Sequence, residues 1–364
     1  MEPELNTRIR YIDVAKGIGI LLVVLGHLMI PGQWLKDCIY ACHMPLFLVL
    51  SGYFEKGNTD YMARYAKLFK RLYIPFFCCI IIEAAYTFVS YGVIGNEGMK
   101  LHRVAYWILL LSKVSFKALV GNSYLYNLPI WFLFSLFVVK IVYTILAQIR
   151  NTDVRYAIII SIMAVAFAYM CMFKDLGVYN RHLPAYAILP SFFFYSVGFF
   201  FKKAIKTPDT ILKNHDRKHS RQLLCLTIVS ALLLPVLVKY NGYTEIYGCQ
   251  FRRPPLLVFN GLLGAFVIIS ISAYISRLHA LAGLYLFFSF WGRNSIKVLV
   301  THYLLTDHLF IWIYDETDIL DLMITPLHET CLFIITVVIE YAVVICANRW
   351  LTRGRPSCSS HNCD

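Results

Sequence analysis

Ten stretches of this chain are apolar over roughly 17 to 25 residues, the length at which a helix crosses a bilayer's hydrocarbon core, and this limits the fold more than any motif does. They run at about 12 to 30, 38 to 54, 72 to 94, 128 to 149, 155 to 173, 185 to 201, 222 to 239, 256 to 276, 292 to 314 and 323 to 347. Inside lipid every backbone donor and acceptor must find a partner within the protein, and for continuous apolar runs that partner is the helix itself. The expected fold is all-α, a polytopic transmembrane helix bundle of about ten spans. Composition agrees: 59% of residues are hydrophobic, 15% are charged, and the mean hydropathy is +0.62. No composition break divides the chain, so residues 1–350 read as a single membrane-embedded domain and 351–364 as a short cytoplasmic tail. Segment 102 to 119, with Lys113 and Lys117 among aromatics, reads as an interfacial helix.

Lysine and arginine outnumber aspartate and glutamate 34 to 21, a formal charge of +13. In a soluble protein this would suggest nucleic acid, but cytoplasmic loops of membrane proteins collect such cations, so the expected partner is the lipid bilayer and not nucleic acid. With the N-terminus inside, the inner loops hold roughly twice as many basic residues as the outer ones. Both termini are therefore expected in the cytoplasm. Arg8 and Arg10 resemble the start of a signal peptide, yet no small-residue cleavage site follows before Pro31, so the first span is expected to be retained. The eleven cysteines are scattered, mostly in apolar runs, without disulfide or zinc-ligand spacing, and no metal is expected.

The first span carries charges that a lipid-facing helix does not tolerate. Asp13 and Lys16 stand at its mouth and His27 lies deep within it. Eleven helical steps bring His27 back to nearly the azimuth of Lys16, roughly 16 Å further along. Ionisable groups within a span cost several kcal/mol unless they face the bundle interior or a wet cavity, so this face is a candidate functional site. Asp13 stands three residues before Lys16, placed to pair with it or to serve the helix dipole.

Other constellations follow. The second span holds His43 and Pro45 and closes on Ser51-Gly52-Tyr53-Phe54, where small residues permit close approach. Before Pro75 stand Lys67, Lys70 and Arg71, and the four-residue spacing of Lys67 and Arg71 suits either membrane anchorage or a phosphorylated ligand.

On these residues the chain resembles acyltransferase family 3, integral membrane proteins that O-acetylate bacterial surface glycans. The resemblance rests on Lys16 and His27 with ten residues between them, on His43-Met-Pro-Leu-Phe-Leu-Val-Leu-Ser51-Gly-Tyr-Phe54, and on the basic cluster before Pro75. It continues through Leu128-Pro-Ile-Trp131-Phe-Leu133 and Trp291-Gly-Arg293-Asn294-Ser295-Ile296, followed by His302. The family often has arginine where Lys16 stands, and often Arg-x-Arg where this chain has Phe69-Lys70-Arg71.

What the resemblance implies is a bacterial inner-membrane O-acetyltransferase. Acetyl-CoA would be the acyl donor, its phosphates near Lys16, Lys67, Lys70 and Arg71, and its pantetheine arm would run along the first helix. His27 would act as general base on an acceptor hydroxyl or carry the acetyl group itself. The acceptor would be a saccharide of the envelope, capsule or exopolysaccharide, free or lipid-linked, with His43, Ser51, Trp131, Asn294, Ser295 and His302 lining its site. For Asn294 and Ser295 the plain alternative is a helix N-cap. The rival reading from another class is a multi-span transporter or flippase of a lipid-linked saccharide, since a bundle with buried His and Lys suits that too.

Overall fold

The computed structural model of the protein describes residues 9–28, 33–55, 60–88, 128–173, 185–204, 217–247, 250–303, 305–306 and 326–353. Helix α1 (Arg10–His27) is followed by α2 (Gln33–Tyr53) and α3 (Tyr61–Leu68), which passes through a π turn (Phe69–Tyr73) into α4 (Ile74–Phe88). After a 3₁₀ turn at Leu128–Ile130 come α5 (Trp131–Leu146), α6 (Thr152–Met172), α7 (Ala185–Ala204) and α8 (Arg217–Asn241). Strands β1 (Thr244–Glu245) and β2 (Gln250–Phe251) form an antiparallel hairpin, the one departure from an all-helical chain among the described residues. The chain continues through α9 (Pro254–Arg277), α10 (Ala282–Arg293), α11 (Ser295–Tyr303) and α12 (Pro326–Arg353).

Helix α1 is the central strut, packed against α2, α9, α10 and α11. Val14 and Ala15 are wholly buried and Ile20 and Val24 nearly so, while Asp13 and Lys16 are half-buried. Close approach fixes its neighbours. A Cβ at Gly17 would collide with the Phe288 carbonyl of α10, and one at Gly292 with the Asp13 carbonyl. The same device brings α2 onto α7, where Gly52 lies against the Tyr195 carbonyl and Gly198 against that of Val49. Small residues at such crossings let backbones meet without a hydrophobic driving force between helices.

Among the described residues, four helical segments are long and apolar enough to cross a membrane: Thr152–Met172, Lys218–Asn241, Pro254–Arg277 and Thr330–Trp350. Within the first, second and fourth only 17%, 22% and 22% of the apolar window is buried, against 56% in the third. Helices α6, α8 and α12 therefore present Val165, Leu232 and Val338 outward, as lipid-facing helices do, whereas α9 is internal. The chain is a helical membrane protein. Most expected spans coincide with helices, and α2 runs unbroken through Pro45. The expected span at 292 to 314 differs: the helix breaks at Asn294, where α10 ends and α11 starts. Segment 102 to 119 lies outside the described residues.

Candidate active site

Two polar clusters sit at opposite ends of α1. At its C-terminal end, the imidazole of His27 has three aromatic neighbours: His302 with ring centroids 5.3 Å apart, Tyr303 at 5.6 Å and Tyr40 at 6.1 Å. His43, buried on α2, stacks edge-on to Tyr40 at 5.2 Å. His27, Tyr40 and His43 line one cavity together with Val23, Met44, Pro129, Trp131, Glu245, Ile246 and Leu299. Two of the imidazoles are held by their own helices. His43 Nδ1 lies 2.6 Å from the Ile39 carbonyl and His302 Nδ1 lies 2.8 Å from that of Val298, each four residues back. A carbonyl only accepts, so Nδ1 carries the proton in both rings and Nε2 of a neutral ring is left with a lone pair. The buried Nε2 of His302 has no hydrogen-bond partner among the described residues. Among the described residues no comparable bond to Nδ1 anchors His27, and His27 stands where the helix ends, at the extended residue Leu28.

The cavity's far wall comes from the hairpin. Gly242 adopts φ 79°, a left-handed conformation that glycine takes without penalty, and so turns α8 into β1. Tyr247 then packs 5.9 Å from Trp131 and anchors the hairpin. Glu245 is half-buried; burial raises its carboxyl above the ordinary range, and Lys36 opposes the shift. Tyr40 and Tyr243 share a hydrogen bond, and the Lys36 ammonium lies 5.7 Å from the Tyr40 ring centroid.

At the N-terminal end of α1 lies a buried ionic network that closes α2, α3, α5 and α7 together. Glu55, 8% exposed, pairs with Arg64, and Lys140 Nζ lies 3.6 Å from its second oxygen. The Tyr195 hydroxyl donates to the same carboxylate, and Lys140 donates to Tyr195 at 3.2 Å. Lys202 donates to the Glu55 carbonyl at 3.1 Å. Lys16 is close enough for its charge to act on Lys140. Cations thus converge where α1 begins, and imidazoles where it ends.

The sequence pattern of the family described as Acyltransferase domain, Acyl_transf_3, matches residues 9–345. The chain belongs to this family. Nodulation protein NolL of Sinorhizobium fredii (strain NBRC 101917 / NGR234) is 38% identical over 94 residues, covering 22% of this chain and 26% of that protein. The chain thus spans about a quarter of the curated relative it matches. No solved structure shows a significant match.

Within this Acyl_transf_3 chain the expected site residues separate into three places. His27, His43, Trp131 and His302 meet at the cavity or its wall. Lys16 and Asp13 occupy the other end of α1, beside Lys140 and Gly292 respectively. Lys67, Lys70 and Arg71 are exposed, and the cation of α3 that turns inward is Arg64. Asn294 is absorbed in a junction of α10, α11 and α12. Its amide donates to the Phe290 carbonyl at 2.9 Å, and its oxygen faces Lys297 at 3.4 Å and Asn348 at 3.3 Å. Its backbone carbonyl accepts from Lys297 and Val298, the N-cap position of α11. Ser295 and Ser51 are half-buried and outside the cavity lining.

Arg64, Lys140, Glu55, Tyr195 and Glu245 had no place among the expected site residues. Lys140 carried the one legible signal, a cation inside an apolar run. Glu245 sits in a short polar loop whose sequence marks nothing. Among the described residues, no three of His, Cys, Asp or Glu are grouped to hold a metal ion.

Proposed function

We propose that this acyltransferase moves an acetyl group from acetyl-CoA to a hydroxyl of an envelope, capsular or exopolysaccharide sugar, across the bacterial inner membrane. The observation that carries the reading is the pairing, along one central helix, of a cation cluster at the Lys16 end with a histidine cavity at the His27 end. About 16 Å of helix separates them, the reach of an extended pantetheine arm. Anionic phosphates suit the Lys16 end, where Lys140, Arg64 and Lys202 also converge. The exposed Lys67, Lys70 and Arg71 on α3 and its π turn add an outer collar of charge that attracts the donor.

In the cavity, neutral His27 takes the proton from the acceptor hydroxyl as that oxygen attacks the thioester carbonyl. The C–S bond breaks, the new ester forms, and the proton passes from the imidazolium to the departing thiolate. The same geometry accommodates a two-step route in which His27 carries the acetyl group between donor and acceptor. In this reading the Lys16 end faces the cytoplasm with both termini, which the excess of basic residues in the expected inner loops supports, so the donor enters from inside and the acceptor from outside.

The test is direct. Purified protein is mixed with labelled acetyl-CoA and envelope glycan extracted from cells lacking it. Label transfer to glycan that His27→Ala abolishes is the expected result; glycan movement across vesicles without thioester turnover would establish transport instead.

A further inference from the structure

We propose that Glu245 is the residue that positions the saccharide acceptor, accepting hydrogen bonds from sugar hydroxyls next to the one aimed at His27. This rests on the acyl transfer proposed above and assigns a recognition role to the hairpin between α8 and α9.

The hairpin is built to hold this side chain in place. Thr244 pairs with Phe251 and Glu245 with Gln250, while Ile246 and Tyr247 bury on either side of the turn's anchor at Trp131. Glu245 enters the same cavity as His27 and His43, among aromatic and aliphatic walls. A carboxylate withdrawn from water in such surroundings is unfavourable unless something takes its hydrogen bonds.

Its neighbours decide which role it plays. Lys36 and the hydrogen-bonded pair Tyr40 and Tyr243 stand beside Glu245. Glu245 and His27 line the same cavity. What faces the space between them is a carboxylate beside the rings of Tyr40 and Trp131. Carboxylate oxygens take hydroxyl donors through charge-assisted bonds, and aromatic faces cover the C–H side of a pyranose. Mostly apolar walls with a few placed polar groups are what fixes a small ligand's orientation.

The experiment compares wild type, Glu245→Gln, Glu245→Ala and Glu245→Asp in detergent, with labelled acetyl-CoA and envelope glycan from cells lacking the protein. Expected for Glu245→Ala is an acceptor KM raised tenfold or more, with kcat within threefold and donor KM unchanged. Glu245→Asp should recover part of the acceptor KM, which a purely structural tie to Lys36 would not produce once melting temperatures are matched. An unaltered acceptor KM in all three variants overturns the assignment, as does a fall in kcat alone. A wild type that transfers no label to glycan overturns the acyl-transfer reading, and the proposal with it.

Discussion

The imidazoles of His27 and His302 lie with centroids 5.3 Å apart and planes inclined by 52°, one at the end of α1 and the other on α11. His302 has its Nδ1 committed to the Val298 carbonyl and its Nε2 without a partner among the described residues, so its own helix fixes the ring's orientation. Among the described residues no such backbone tether holds His27, and it is His27 that the proposed reaction assigns to proton transfer. His27→Gln should fold and insert normally yet lose turnover by roughly 10²-fold or more, the usual worth of a general base. Single-turnover transfer assays on the purified variant check this; near-wild-type rates would remove His27 from the chemistry.

Lys16 is assigned to donor phosphate. Lys16→Met should raise the donor KM by roughly 10- to 100-fold, the value of a charge-assisted hydrogen bond, while acceptor KM stays unchanged. Lys16→Arg should keep or improve activity, because a guanidinium offers a bidentate fork to phosphate. Titrating acetyl-CoA against each variant separates the two.

Glu55 holds Arg64, Lys140 and Tyr195 in one buried network. Glu55→Ala leaves two cations without their counter-ion and should destabilise by about 3 to 5 kcal/mol, as breaking a buried pair does. Thermal unfolding in detergent would show it as a clear drop in melting temperature, larger than that of Lys70→Ala, whose side chain is exposed.

The α2–α7 crossing depends on absent side chains. Gly52→Leu places bulk against the Tyr195 carbonyl and should destabilise by about 1 to 3 kcal/mol or more through overpacking. Because Tyr195 also serves Glu55, transfer activity should fall as well. A variant with unchanged melting temperature would show that the helices can part freely there.

Burial raises the Glu245 carboxyl above its unfolded value. A raised folded-state pKa adds stability that is complete below the unfolded pKa and is lost as pH climbs through the folded one. Melting temperature should therefore decline as pH climbs above about 4, in part through this group, and Glu245→Gln should flatten that decline. An identical pH profile in the variant would mean the shift is not expressed.

Length and hydropathy alone determined that this chain is a helical membrane protein, because lipid leaves a backbone few ways to satisfy itself. They also determined that Lys16 and His27 lie along one helix face, since helical period is a local property. Local sequence does not state which way a cation turns. Lys67 and Arg71 share the four-residue spacing of a helix face, yet they are exposed while Arg64, one turn earlier, is drawn in by Glu55. The π turn at Phe69–Tyr73 shifts the register between them and α4. Only tertiary packing decided that His302 would meet His27, that Asn294 would cap α11 within a helix junction, and that Glu245 would reach the cavity. Each depends on contacts between distant segments, set by glycine-mediated helix crossings and a two-residue hairpin rather than by any periodicity in the chain.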